Sequence, residues 1–169
     1  MKNVIQNKKK IFIFNGNDVR KLRVLAKQSH NGRSRVCIHL SKNSKVQEMI
    51  LFALKNSYMP PHRHPSGNSE AYHVISGKLD LYIFNLKGKV VNRIFLENYK
   101  KNSNKKFYYR TSSGNFWHMP VVRSRECIFH EIYSGPFKKT LDVKFPTWAP
   151  KIEEQSKIKI FFEKLKKFK

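Results

Sequence analysis

The sequence has little cysteine and no long apolar run. Its 169 residues include two cysteines, Cys37 and Cys127, and neither belongs to a Cys-x-x-Cys pair. A disulfide framework or cysteine metal site is therefore not expected, and both thiols are predicted to be reduced core residues. No apolar stretch approaches the roughly 20 residues that span a membrane. The apolar run at residues 11–14 is too short for the core of a signal peptide, so we expect a cytoplasmic location.

Acidic residues are also scarce. Eleven Asp and Glu face 35 Lys and Arg, which gives a net charge of +24 and favours anionic partners. The basic residues are mostly scattered lysines, and no helix-turn-helix, zinc finger or RNA-binding signature accompanies them. We therefore predict a diffuse basic surface without a specific nucleic-acid site, whose binding to duplex DNA is weak and falls with salt.

The chain does contain many short alternating segments bounded by Gly, Pro and Asn. This pattern predicts a mainly β fold, an antiparallel sandwich or barrel. Helical spacing predicts an N-terminal helix at residues 18–28 and a C-terminal helix at residues 152–168. Residues 1–10 are expected to be loose, and residues 97–106 to form a polar loop. The predicted strands cover residues 11–14, 35–40, 46–54, 58–64, 70–76, 78–86, 90–96, 107–110, 116–122 and 127–133.

The C-terminal tail has a different character from the rest of the chain. Its apolar residues fall on one helical face, and lysines fill the other. Packing against the β structure, or contact with a partner, is the favoured interpretation. The alternative is contact with an anionic membrane surface, which basic amphipathic helices can make.

One stretch carries the strongest chemical signal. His62 and His64 stand at i and i+2 after two prolines that favour an extended backbone, so their side chains point the same way. Residues 65–68 have turn chemistry, which predicts a hairpin that returns through Glu70 on the next strand. His118 offers a third imidazole further along the chain. Such a set suits one divalent transition metal with open coordination positions (Fe, Mn, Ni, Co or Zn).

The same residues resemble the two cupin motifs. The first runs from His62 to Gly77 and the second from Gly114 to His118, and each has one residue more than the family usually has. Loops absorb such insertions at small cost. An ordered set of phrases between about residues 17 and 150 resembles the WbuC-type cupin metalloproteins that occur with bacterial surface-polysaccharide genes. These phrases are Arg33-Ser34-Arg35 with His39, Val46-Gln47, Ser57-Tyr58, Ser69-Glu70, His73-Val74-Ile75-Ser76-Gly77, Phe107-Tyr108-Tyr109-Arg110, Trp117-His118, His130-Glu131, Gly135-Pro136-Phe137 and Trp148-Ala149-Pro150.

The resemblance implies a cupin-type antiparallel β-barrel, a double-stranded β-helix of jelly-roll type. It divides the chain into a basic N-terminal segment at residues 1–16, a cupin domain at 17–150 and a basic amphipathic helix at 151–169. His62, His64, Glu70 and His118 become the metal ligands. We also expect a homodimer.

Further polar residues on the predicted strands are candidates for chemistry or for binding a ligand, although each could equally be structural. Glu131 and Tyr109 are the catalytic candidates, because a carboxyl or phenol beside a metal can transfer a proton. Arg35, His39 and Arg110 are the candidates for binding an anionic substrate. Strand alternation places Arg63 opposite the two histidines.

Three classes of function remain open. The first is a metal-dependent enzyme, such as an isomerase or epimerase, acting on a sugar or nucleotide sugar in surface-polysaccharide (O-antigen) synthesis. The sugar part rests on the resemblance alone. The second is a non-catalytic cupin that binds or senses a small molecule. The third is a cupin oxidase or isomerase unrelated to polysaccharide.

Overall fold

A computed structural model describes residues 3–64, 68–101, 103–112 and 116–168. Residues 65–67 of the turn predicted at 65–68, and the glycine of the second motif, Gly114, lie outside the described residues. The strands are β1 (Val4–Gln6), β2 (Arg33–Cys37), β3 (Val46–Leu54), β4 (Glu70–Ser76), β5 (Lys78–Phe84), β6 (Val90–Glu97), β7 (Tyr108–Thr111), β8 (Trp117–Val122) and β9 (Glu126–Ser134). The helices are α1 (Gly16–Gln28), α2 (Lys139–Asp142) and α3 (Gln155–Lys166).

The strands form two sheets, which confirms the predicted mainly β architecture. Six strands pair in the order β1-β2-β3-β9-β4-β7, and three pair in the order β6-β5-β8. Every pairing between these strands is antiparallel except that of β1 with β2. Apolar side chains from both sheets meet in one core, because alternate residues of each strand face the same side. Its members include Leu51, Val74 and Phe129 from the larger sheet and Leu79 and Leu81 from the smaller.

Both predicted helices are present and have separate partners. Helix α1 begins with a capping box between Asn15 and Asp18 and buries Leu22 and Ala26 against the outer face of β2 and β3. Helix α3 buries Ile158 and Leu165 in an aromatic cluster on the smaller sheet. The apolar face of the tail is thus used for packing, as the favoured interpretation predicted. Among the described residues, no helix is long and apolar enough to cross a membrane.

The N-terminal segment differs from the prediction. The first strand is Val4–Gln6, in a stretch expected to be loose, and it pairs in parallel with β2. The strand predicted at residues 11–14 is wrong, since these residues have no strand assignment. Burial alternates along these residues without a strand: Phe12 and Phe14 pack on the cluster beneath α1, while Ile11 and Ile13 are exposed.

The predicted hairpin around the histidines is also wrong. Residues 58–64 form no regular strand and do not pair with β4, which pairs with β7 and β9 instead. Within this segment, two residues form isolated β-bridges: His62 pairs with His118, and Arg63 pairs with Lys144. The second bridge belongs to the segment after the short helix α2, which has no counterpart in the prediction.

Candidate metal centre

An isolated antiparallel β-bridge between two distant segments of the chain brings the three histidines together. The backbone N–H of His62 donates to the carbonyl of His118 at 2.9 Å, and the N–H of His118 donates to the carbonyl of His62 at 2.8 Å. This pair of hydrogen bonds fixes the extended segment after the two prolines against the start of β8. The ring centroids of His62 and His118 lie 4.3 Å apart, and that of His64 lies 5.4 Å from His118.

Glu70 supplies a carboxylate to the same point. It is the first residue of β4 and is 1% exposed. Its Oε1 lies 3.1 Å from Nε2 of His64 and 3.8 Å from Nε2 of His62, and its Oε2 lies 2.8 Å from Nε2 of His118. The ligand atoms of all four residues lie within 4.8 Å of one another.

Backbone carbonyls determine which ring nitrogen of each histidine carries a proton. Nδ1 of His62 lies 3.0 Å from the carbonyl oxygen of Pro60. Nδ1 of His64 lies 2.7 Å from the carbonyl oxygen of Asp142, and Nδ1 of His118 lies 3.1 Å from that of Phe116. A carbonyl oxygen only accepts, so each Nδ1–H must donate. Each neutral ring therefore turns a lone pair on Nε2 towards the carboxylate, the arrangement that metal-ligating histidines adopt.

This arrangement leaves a position that only a cation can fill. Within the described residues, Oε2 of Glu70 and Nε2 of His118 have no hydrogen-bond partner although they approach to 2.8 Å. Two lone pairs at that separation repel unless a proton or a metal ion lies between them. The donor set of three imidazoles and one carboxylate fits a divalent transition metal. The cluster of His62, His64, Glu70 and His118 could therefore bind a metal.

The electrostatics of the metal-free cluster agree with this geometry. Burial alone would raise the pKa of Glu70, but the surrounding imidazoles, His118 first, hold it well below its ordinary value. Burial and the neighbouring His118 lower the pKa of His62. Burial is the largest single influence on His64 and would lower its pKa, but the hydrogen bond to Glu70, the charge of Glu70, the carbonyl of Asp142 and the charge of Glu131 together raise the pKa of His64. Without a metal, a proton held near His64 and Glu70 is the compensating cation.

Tyr72 and Tyr109 lie next to the cluster on the inner face of the larger sheet. The hydroxyl of Tyr72 donates to Oε1 of Glu70 at 2.8 Å, and the ring of Tyr109 stacks on that of Tyr72 at 6.1 Å. Burial, with a smaller effect of Glu70, raises the pKa of Tyr109 to about 12. Both phenols therefore stay protonated at neutral pH.

Glu131 occupies the same inner face one strand away. It is the register partner of Tyr72 on β4 and of Met49 on β3. Burial, followed by the charge of Glu70, raises the pKa of Glu131 to about 7. The predicted catalytic candidates Glu131 and Tyr109 are thus both neighbours of Tyr72, which itself bonds a candidate ligand.

The three predicted anion-binding residues are not gathered together. Arg35 is exposed and lies on the inner face of β2, where its charge acts on Glu131. His39 lies beyond the end of β2, and its Nδ1 accepts from the backbone N–H of Glu48 at 3.0 Å. Arg110 is exposed on β7, on the face opposite Tyr109, and its Nη2 is 3.4 Å from Oγ of Ser69. Of the three, only Arg35 faces the side of the sheet that carries the cluster.

Two participants were missed from the sequence. Arg33 shares the inner face with Arg35, and burial together with the charge of Arg35 lowers its pKa. The i, i+2 spacing of the two arginines was a signal that could have identified it. The second is the carbonyl of Asp142 in α2, which orients His64. A backbone oxygen 78 residues away from its partner leaves no mark in a sequence.

Comparisons with known proteins bear on the fold. A family model described as a domain of unknown function, DUF6016, matches residues 14–96. No curated protein matches the chain. Among solved structures, a structural-genomics protein from Shewanella oneidensis is similar at 12% identity and a TM-score of 0.56, over 79% of this chain and 85% of that one.

Two further similar structures are functionally described. Oxalate oxidase, solved in complex with glycolate, aligns at 15% identity and a TM-score of 0.51, over 69% of this chain and 56% of that one. CapF, solved with the inhibitor 3-isopropenyl-tropolone, aligns at 12% identity and a TM-score of 0.52, over 68% of this chain and 31% of that one. The chain thus spans about half of the first and a third of the second. At such identities the likeness establishes the fold, and the fold is that of the cupins.

Proposed function

We propose that this chain is a metal-dependent cupin that holds one divalent transition metal through His62, His64, Glu70 and His118. The observation that carries the proposal is the convergence of three Nε2 lone pairs on a buried carboxylate, with every Nδ1–H donated to a backbone carbonyl. The bound ion, one of Fe, Mn, Ni, Co or Zn, would supply a Lewis acid with coordination positions open to a small ligand or water.

The ligand in this proposal is a small anionic metabolite. Arg33 and Arg35 both face the side of the sheet that carries the cluster, and the charges of both act on Glu131. Guanidinium groups in a partly desolvated site bind carboxylates and phosphates with defined geometry. A sugar or nucleotide sugar of surface-polysaccharide synthesis remains the proposed class, and it rests on the resemblance of the sequence phrases alone.

Within this site, Glu131 is assigned the transfer of a proton and Tyr109 the donation of a hydrogen bond. In the metal-free chain the pKa of this carboxyl is raised to about 7, so Glu131 can both accept and release a proton near neutral pH. A cation bound beside Glu70 would lower this pKa towards its ordinary value. A phenol with a pKa of about 12 stays protonated and can donate to a ligand oxygen. This pair favours isomerisation or epimerisation, which move a proton, over the other chemistries that the sequence left open.

Metal analysis of the purified protein tests the first part. We expect close to one equivalent of a transition metal in the parent protein and almost none in His64→Ala. The matched control is His30→Ala, which removes an exposed imidazole beyond the end of α1 and should leave the metal content unchanged. Undiminished metal in His64→Ala would refute the assignment of the ligands.

Calorimetry on the metal-loaded protein tests the ligand. Sugar phosphates, nucleotide sugars and small hydroxy acids form the panel, and glycolate belongs in it because the similar oxalate oxidase was solved with it. Arg35→Ala should weaken binding about tenfold or more while the metal content stays the same. If no member of the panel binds, the ligand class is wrong, whatever the metal analysis shows. Conversion of a bound ligand that stops on chelation would distinguish an enzyme from a binding protein.

A further inference from the structure

The outer face of the larger sheet carries a strip of exposed aromatic side chains, formed by His73, Tyr99, Phe107 and Tyr108. Tyr99 is 62% exposed, Tyr108 50% and Phe107 38%. The rings are contiguous: centroids lie 5.6 Å apart between Tyr99 and Phe107, 5.8 Å between Phe107 and His73, and 6.4 Å between His73 and Tyr108. This aromatic strip lies at the β7 edge of the sheet.

The strip is embedded in positive charge. Residues 98–112 contain four lysines and one arginine, and no acidic residue. All four lysines, at positions 100, 101, 105 and 106, are exposed. Arg110 is exposed as well and shares the outer face of β7 with Tyr108, because the two are i and i+2 on a strand. Glu97 lies just before this segment, but its carboxylate is 3.7 Å from the ammonium of Lys78 on β5. Lys78 therefore balances the negative charge of Glu97.

This combination needs a binding partner with two properties. Several adjacent rings on one face are an apolar surface that a folded protein rarely leaves uncovered without a function. The lysines and the arginine require a polyanion, while the flat rings offer stacking surfaces spaced along the chain. Single-stranded nucleic acid presents both a continuous line of phosphates and unstacked bases. A duplex hides its bases, and a lipid headgroup has no ring to stack.

We propose that the aromatic strip and its lysines bind single-stranded nucleic acid without base specificity. Every base has an aromatic face, so stacking on Tyr99, Phe107 and Tyr108 tolerates any sequence, and the lysines follow the backbone. The strip is separate from the candidate metal centre, because alternation along β4 directs Tyr72 inward and His73 outward. The inference therefore stands independently of the proposed metal and its ligand. It also localises a part of the basic charge that the sequence suggested was diffuse.

Fluorescence anisotropy of the full chain tests the inference. The probe is a labelled oligothymidylate of about 15 nucleotides, long enough for one binding site, and a labelled duplex of equal length is the comparison. We expect tighter binding to the single strand. The double variant Tyr99→Ala/Tyr108→Thr should weaken it at least about fivefold for each ring removed. Phe145→Ala, which removes an exposed ring elsewhere, is the matched control and should bind like the parent.

The lysines have their own control. Lys105→Gln/Lys106→Gln should lower the slope of log affinity against log salt by about 0.7 for each phosphate that the variant no longer neutralises. Lys159→Gln/Lys164→Gln removes the same charge from the exposed face of α3 and should leave that slope unchanged. Circular dichroism confirms that each variant is folded.

Three results would overturn the inference. One is equal affinity for the duplex and the single strand. Another is ring variants that bind like Phe145→Ala. The third is binding to vesicles containing phosphatidylserine that is tighter than binding to the oligonucleotide and is abolished in the ring variants, because this would assign the strip to a membrane surface.

Discussion

Replacing Glu131 by glutamine should stabilise the metal-free protein at neutral pH. Burial and the charge of Glu70 raise the pKa of Glu131 from an ordinary 4.5 to about 7. A carboxyl with a raised pKa binds its proton more tightly in the folded chain than in the unfolded chain. The folded state therefore loses stability as the pH rises from the unfolded pKa to the folded pKa. At about 1.4 kcal/mol per pH unit, that interval corresponds to about 3 kcal/mol.

The expected gain is smaller than this because Glu131 is only partly buried and solvent screens its charge. We expect Glu131→Gln to raise the free energy of unfolding by about 1–2 kcal/mol at pH 8. Glutamine keeps the shape and removes the charge. At pH 4.5 the difference should nearly vanish, because the parent carboxyl is then protonated in the folded state.

Urea unfolding of chelator-treated protein at pH 8 and at pH 4.5 measures the difference in unfolding free energy between Glu131→Gln and the parent. Glu153→Gln, which removes an exposed carboxylate, controls for the change in net charge. Metal should reduce the advantage of Glu131→Gln, since a divalent cation offsets the charge of Glu70. If Glu131→Gln is less stable than the parent at pH 8, Glu131 is instead a well-paired structural carboxylate, and its assignment to proton transfer loses its basis.

Two further substitutions test the surroundings of the core. Tyr72→Phe removes the hydroxyl that donates to Glu70 and should weaken metal binding about tenfold or more without unfolding the chain; competition with a chelator measures this, and unchanged affinity would contradict the role. Arg93→Met removes the guanidinium 2.7 Å from the buried Asp80 but leaves that of Arg123 at 3.4 Å, so it should cost about 2 kcal/mol of unfolding free energy, less than the loss of a sole partner. The exposed Arg125→Met is its control, and a loss below about 1 kcal/mol would contradict the pairing.

The elements with strong local patterns could be predicted from the sequence. The predicted strands at 46–54 and 70–76 match β3 and β4 residue for residue, since both are short runs rich in apolar, β-branched or aromatic residues that end at turn residues. Helix α1 was predicted within two residues of its start, because its apolar residues recur at helical spacing. Its N-cap is Asn15, upstream of the predicted start. The two-sheet fold followed from the number of such strands.

Long-range pairing could not be predicted. Val4–Gln6 has no pattern of its own, and its pairing with β2 defines it as a strand. Residues 58–64 read as half of a hairpin, whereas their partners are His118 and Lys144, far along the chain. The roles of Arg35, His39 and Arg110 stay predictions. Residue type suggests an anion contact, but only the sheet order shows which of these side chains faces the cluster.

The register of β4 explains why the histidines and Glu70 still meet despite an extra residue between them. Glu70 is paired with Tyr133 of β9 on one side and with Thr111 of β7 on the other, so its inward direction is set by the sheet. A slip of one residue would direct Glu70 outward and move the whole face with it. The turn after β4 resists such a slip, because a Cβ at Gly77, whose φ is +90°, would lie 2.4 Å from the carbonyl oxygen of Glu126. The additional residue must therefore be accommodated before Glu70, where it does not change which side chains face the metal cluster.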